Sequence, residues 1–235
     1  MTQLLLFDID GTLILTGRAG VRAMNQAFRE TFGIDDALDG VPLAGRTDRG
    51  IITEVMARLA PGHEADEAWW AGFRDRYLDR LAAELGSDHP GKRVLPGIEP
   101  LLDSLEGRPG ARVALLTGNF ALGAEVKLRH FALWHRFAWG AYGDGAVDRN
   151  DLLPVAMSLA RENGMSELSA SDVVVIGDTS HDVACAHNGG ARAVAVATGP
   201  YSEAALAATG ADVVLPDLSD TRGVLSMLES LAARG

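Results

Sequence analysis

Residues 4–12 read Leu-Leu-Leu-Phe-Asp-Ile-Asp-Gly-Thr, and no other stretch constrains the fold as strongly. A short apolar run passes directly into Asp8, Ile9, Asp10 and Gly11. A run of that length, ended by turn residues, predicts a strand buried on both faces, as in parallel sheets. Side chains alternate along a strand, so Asp8 and Asp10 point to the same side. Open α/β sheets bind ligands just beyond the carboxyl ends of their strands. Two carboxylates leaving a dry strand repel each other. A bound cation relieves that repulsion, and Mg²⁺ favours oxygen ligands. One alternative is a plain strand and turn, since Asp-Gly is a common turn pair. A calcium loop opened by Asp-x-Asp is excluded: counted from Asp8, its required Gly falls on Leu13 and its required Glu on Ala19.

The chain of 235 residues is long enough for one domain or two modest ones. Its 47% apolar and 23% charged residues match an ordinary soluble globular protein. A formal net charge of −11 argues against general nucleic-acid binding and against binding to anionic membranes. An anionic substrate stays possible, because a local cation reverses the field inside a site. Cys185 is the only cysteine, so neither an intrachain disulfide nor a cysteine zinc site is expected. With no signal-peptide pattern and no apolar run of spanning length, the expected location is cytoplasmic.

After Thr12 the pattern changes. Residues 13–17 read as a linker. Helical spacing of apolar residues then predicts helices over residues 20–32, 48–59 and 66–85. No strand pattern interrupts them. Residues 16–92 are therefore expected to form an all-helical insertion, with residues 1–15 and 93–235 forming an α/β core. From residue 96 onward, strands alternate with helices. Strands are expected at 112–116, 138–142, 173–176, 193–197 and 213–215. Helices are expected at 99–105, 122–130, 152–163, 182–187 and 221–232. This alternation implies a doubly wound parallel sheet with right-handed crossovers.

Polar groups end three of these strands: Asp8 and Asp10, Thr117, and Asp178. Asp182 follows Asp178 by one helical turn, near a helix start where the dipole favours a carboxylate. Either acid alone reads as a helix cap. A second carboxylate pair at a second strand end favours a metal site.

These residues resemble a known family. The Asp8-Ile9-Asp10-Gly11-Thr12 run, the Thr117-Gly118 strand end and Gly177-Asp178…Asp182 look like motifs one, two and four of the haloacid-dehalogenase-like hydrolases. Their order and the helical insertion resemble the helical-cap, phosphoglycolate-phosphatase-like group, with a Rossmann-like core. The resemblance covers nearly the whole chain. It implies Asp8 as a nucleophile that forms an aspartyl-phosphate, and Asp10 as general acid and then base. It implies Mg²⁺ held by Asp8, the Asp10 backbone carbonyl and Asp178, with Asp182 ligating directly or through water. Thr117 and the Gly118 N–H would bind phosphate oxygens, the charge stabilisation that phosphoryl transfer needs.

Motif three departs from the family pattern, which places a lysine before the motif-four strand. Lys92 and Lys127 are the only lysines. Lys127, beside Arg129 in mid-helix, reads as a solvated charge. The motif-three cation is assigned instead to Arg149, whose guanidinium clamps phosphate; a surface arginine is the alternative. Arg46 and Thr47, in a loop that faces the site in similar sequences, are candidates to bind substrate. Their alternatives are a solvated arginine and a helix cap. Asn119 is a candidate to orient Asp8 or touch the phosphate, or else a turn residue. Gly17 and Arg18 are weaker candidates at the cap hinge.

The resemblance also separates neighbouring chemistries. A dehalogenase typically lacks the acid of Asp10. A phosphonate hydrolase needs a cap lysine, and none lies between Thr12 and Lys92. Transport ATPases carry a Lys-Thr-Gly continuation that is absent. The expected protein is a phosphatase for a small phosphorylated metabolite, phosphoglycolate leading, acting as monomer or homodimer. A sugar-phosphate mutase of the β-phosphoglucomutase type shares the core residues. A non-catalytic binding protein on the same fold is the alternative from another class.

Overall fold

The computed structural model of the chain describes residues 2–233. In order, the elements are β1 (Gln3–Phe7), β2 (Ile14–Thr16), α1 (Ala19–Phe32), α2 (Asp48–Leu59), α3 (Glu67–Gly86) and β3 (Lys92–Val94). There follow α4 (Ile98–Leu105), β4 (Ala111–Leu116), α5 (Ala121–His130), β5 (Gly140–Ala141), α6 (Leu152–Glu162) and β6 (Val173–Gly177). The chain closes with α7 (Ser180–Asn188), β7 (Arg192–Val196), α8 (Glu203–Ala207), β8 (Val213–Leu215) and α9 (Thr221–Ala232).

Six strands form one parallel sheet in the order β5-β4-β1-β6-β7-β8. The apolar run at the N-terminus is the middle of that sheet. All five residues of β1 are buried, as the unbroken apolar run from Leu4 to Phe7 requires of its own four. Leu5 and Phe7 face one layer, packing with α4, α5 and α9 through Leu101, Leu128 and Leu228. Leu4 and Leu6 face the other, with Leu153 and Ala156 of α6 and Val183 of α7. Each such leucine or phenylalanine contributes about 1.5–3 kcal/mol by leaving water.

Register fixes what emerges at the sheet edge. Phe7 sits opposite Leu115 of β4 and Ile176 of β6. The next residues out are Asp8 and, one step further on their strands, Thr117 and Asp178. The Asp8 N–H still donates to the Ile176 carbonyl at 3.0 Å, so Asp8 is held as firmly as the strand itself.

The three helices between β2 and β3 form their own apolar cluster, centred on Phe28, Phe73, Tyr77 and Leu81. Phe28 and Phe73 have ring centroids 4.7 Å apart. Trp69 and Trp70 border this cluster. Phe120, at the start of α5, joins the same cluster and ties the helical layer to the sheet.

Two readings of the sequence are corrected. Residues 13–17 are not a plain linker: Ile14–Thr16 pairs antiparallel with Lys92–Val94. Lys92 and Arg93 break any apolar run in the second of these strands, and the two partners lie far apart in sequence. Helix α8 was also not anticipated, and β5 is only Gly140–Ala141, shorter than the expected 138–142.

Candidate active site

A cavity of about 740 Å³ lies between the helical layer and the carboxyl edge of the sheet. That is within the range of ligand pockets, about 300–1,000 Å³. Asp8, Asp10, Thr117, Gly118, Asn119, Arg149 and Asp178 all line it. Val21, Met24, Leu38 and Ile51 supply apolar wall from the helices and their connections.

Arg149 organises the floor. It stands in the short 3₁₀ turn Arg149–Asp151 before α6 and is buried. Its Nη2 lies 3.0 Å from Asp8 Oδ1 and 2.6 Å from Asp182 Oδ1, and also donates to the Leu116 carbonyl at 3.3 Å. Its Nη1 donates to the Gly45 carbonyl at 3.1 Å, which draws the 45–47 loop onto the sheet edge. The surface-arginine alternative is excluded by this burial. The two flanking carboxylates keep the guanidinium charged, its pKa above the usual arginine value despite the opposing effect of burial.

Asp8, Asp178 and Asp182 bring one carboxylate oxygen each to within 4.8 Å of one another, all three buried. Burial drives the Asp8 carboxyl above its ordinary value; Arg149 opposes this, and Asp182 and Asp10 add to it. Asp178 is raised further by burial, then by the charges of Asp182 and Asp8. Three hard oxygen donors with one arginine between them are under-neutralised, and this donor set fits Mg²⁺. The backbone leaves no room for larger residues here: a Cβ on Gly11, which sits at φ +85°, or on Gly199 would collide with the Asp178 carboxylate. Asp182 differs from the other two. Its Oδ2 accepts from the Thr179 N–H at 3.0 Å and the Thr179 hydroxyl at 2.6 Å, forming the capping box of α7. With Oδ1 on Arg149, both its oxygens have protein donors, and it is at once cap and anchor.

Asp10 turns away from this cluster. Its Oδ2 accepts from Asn119 Nδ2 at 2.9 Å and from Lys127 Nζ at 2.6 Å. Lys127 also donates to Asn119 Oδ1 at 2.5 Å, and Asn119 Nδ2 donates to Thr117 Oγ1 at 2.7 Å. Lys127 is only 4% exposed, so its reading as a solvated charge is corrected. The missed signal is its spacing. On α5 it shares a face with Gly123, Ala124 and Leu128, all buried, whereas Glu125 and Arg129 pair with each other on the outer side at 2.7 Å. Asn119 orients Asp10 rather than Asp8, which corrects the first of its two expected roles.

The 45–48 loop fills the space above Gly118. The Asp48 N–H donates to the Gly118 carbonyl at 2.7 Å, and a Cβ on Gly118 would overlap the Arg46 backbone. Thr47 is fully buried; its hydroxyl accepts from the Gly50 N–H at 3.0 Å and donates to the Val147 carbonyl at 3.0 Å. It caps α2 and is not part of the cavity wall, so the cap alternative is the one seen. Arg46 borders the cavity, but its guanidinium is engaged with Glu54 Oε2 at 2.5 Å and with the Pro42 carbonyl at 3.2 Å. Asp48, not singled out as a site residue, lines the cavity and accepts from the Phe120 N–H at 2.9 Å. Gly17 and Arg18 line it too, both with left-handed backbones, φ +58° and +65°.

Acidic groups at the switch point of a doubly wound sheet, opposed by a buried arginine, lie where α/β enzymes place their active sites. Residues 5–187 match the haloacid dehalogenase-like hydrolase family. The chain belongs to that family. It is 28% identical over 228 residues to the phosphoglycolate phosphatase of Synechococcus elongatus, covering 96% of this chain and 98% of that one. It is 30% identical over 227 residues to a 5'-nucleotidase of Pseudomonas aeruginosa, covering 94% of each. Its fold matches the crystal structure of a predicted phosphoglycolate phosphatase from Haemophilus somnus with a TM-score of 0.69, at 19% identity, over 95% of this chain and 98% of that one. No described helix is long and apolar enough to cross a membrane.

Proposed function

We propose that the protein is a Mg²⁺-dependent phosphomonoesterase for a small phosphorylated metabolite, working through an aspartyl-phosphate on Asp8. The carrying observation is the buried set of Asp8, Asp178 and Arg149 at one strand edge. Asp8, Asp178 and the Asp10 carbonyl would hold the ion, with Asp182 behind them. When bound, the ion neutralises carboxylate and phosphate charge that would otherwise repel.

A carboxylate oxygen of Asp8 attacks phosphorus as the ester P–O bond breaks. Asp10 protonates the departing alcohol, then takes a proton from the water that hydrolyses the acyl-phosphate. Thr117, the Gly118 N–H and Arg149 receive phosphate oxygens. Helices α1–α3, within residues 16–92, act as a cap that closes the cavity and excludes water. Phosphoglycolate leads as substrate because the Synechococcus elongatus relative, named for that activity, aligns over nearly both chains. Arg18 and Arg93, which border the cavity, are available to a substrate carboxylate, whereas Arg46 is engaged by Glu54.

The test is phosphate release from a panel that includes phosphoglycolate, a hexose phosphate and a nucleoside monophosphate, with Mg²⁺ and with chelator. Release by wild type and none by Asp8→Asn supports the reading, and the ranking of esters identifies the substrate class. Interconversion of hexose phosphates without release would point to a mutase. Neither reaction, in folded protein that binds Mg²⁺, would leave a binding protein on this fold.

A further inference from the structure

The Lys127 ammonium is buried at the seam of three elements. Its Nζ lies beside Asp10 and Asn119, and both it and the Tyr77 hydroxyl of α3 lie close to Gly20 of α1. Burying an ammonium is unfavourable unless it is fully paired. Here the pairing is specific. Lys127 and Asn119 both donate to the same oxygen, Asp10 Oδ2, and Lys127 also grips Asn119 through Oδ1. Asn119 is in turn anchored on Thr117 Oγ1, which belongs to the phosphate-facing strand end.

We propose that Lys127 is a positioning residue for proton transfer by Asp10. The assignment rests on the reading of Asp10 as the acid and base of phosphate ester hydrolysis. With two donors on Oδ2, the proton that Asp10 carries sits on Oδ1. Oδ1 then gives that proton to the ester oxygen as the bond from that oxygen to phosphorus breaks and the bond from Asp8 to phosphorus forms. The alcohol leaves neutral and Asp10 is left as a carboxylate. Lys127 borders the cavity, but its Nζ is engaged by Asp10 and Asn119; it fixes the rotamer of Asp10 and, through Asn119, sets its distance from Thr117. A lysine that merely tied α5 to the sheet would serve stability alike for every substrate.

The test therefore compares leaving groups. An aryl ester such as p-nitrophenyl phosphate releases a phenolate that needs no proton, whereas an alkyl ester releases an alkoxide that does. kcat/KM is measured with Mg²⁺ for p-nitrophenyl phosphate and for the alkyl ester of the panel that turns over fastest. Lys127→Met is expected to lower kcat/KM for the alkyl ester at least about tenfold more than for the aryl ester, a part of the roughly 10²–10⁴-fold that a general acid contributes. In an Asp10→Asn background the same substitution is expected to add little, because both act on one step. Lys127→Arg keeps the charge but moves the donors. It is expected to fall between wild type and Lys127→Met, and it carries the test if Lys127→Met does not fold. An unchanged aryl-to-alkyl ratio in every folded variant would overturn the assignment and leave Lys127 a structural ion pair. Absence of Asp8-dependent turnover in wild type would instead remove the hydrolase reading, and this assignment with it.

Discussion

Arg149 Nη2 lies 2.6 Å from Asp182 Oδ1 and 3.0 Å from Asp8 Oδ1, so one nitrogen joins the first and last carboxylates of the site. All three side chains are almost wholly withdrawn from water. Removing one partner of such a group strands the rest as unpaired buried charge, at about 3–5 kcal/mol. Arg149→Met is expected to lose stability on that scale in urea unfolding and to lose turnover. Added Mg²⁺ is expected to restore part of the stability, because the freed carboxylates gain a counter-ion. A variant as stable as wild type without Mg²⁺ would show that the cluster does not depend on this arginine.

Mg²⁺ is expected to raise the melting temperature of wild type by mass action, about 2.7 kcal/mol at a hundredfold excess over its dissociation constant. Asp178→Asn is expected to abolish that rise. Both are read by thermal unfolding against Mg²⁺ concentration, with no substrate present. An undiminished rise in Asp178→Asn would move the ion elsewhere.

Gly11→Ala addresses the same point through the backbone. Gly11 holds φ +85°, and its Cβ would meet the Asp178 carboxylate. The strain is expected to lower stability by about 1 kcal/mol or more. The displaced Asp178 is expected to raise the Mg²⁺ concentration for half-maximal phosphate release. An unchanged Mg²⁺ requirement would separate Gly11 from the ion site.

Asp48 supplies a pH-dependent contribution outside the carboxylate cluster. Burial raises its pKa from 3.8 to about 6, against the opposing Lys127 charge and Phe120 N–H. The folded chain thus holds this proton more tightly than the unfolded chain. That stabilisation is complete below pH 3.8 and is lost as pH rises through about 6. Asp48→Asn keeps an acceptor for Phe120 but does not titrate. Relative to wild type it is expected to gain stability between about pH 4 and pH 7, by up to about 3 kcal/mol for a two-unit shift. A difference that stays flat with pH would contradict the assignment.

Much of the order of elements was legible because β1, β4 and β6 each carry an apolar run that gives way to a polar strand end. Val213–Leu215 and Thr221–Ala232 lie where the periodicity places them. So does Asp48–Leu59, with Thr47 as its cap. The β2–β3 ribbon was not legible, since Lys92 and Arg93 leave β3 without an apolar run and its partner lies on the far side of the helical layer in sequence. In the site, Asp8, Thr117 and Asp178 were readable because each directly follows a strand end. Lys127 was not, because charge suggested solvent while its shared face with Ala124 and Leu128 indicated burial. Asn119 was found as a residue but not by its role, which depends on that lysine.

The central claim is that Asp8 carries the phosphoryl group. Acid quench during turnover, followed by borohydride reduction and peptide mapping, tests it directly, because an acyl-phosphate is reduced to the alcohol. The account predicts homoserine at position 8, present with substrate and Mg²⁺ and absent when either is withheld. Steady phosphate release with Asp8 unmodified, or with the alcohol at another carboxylate, would contradict it.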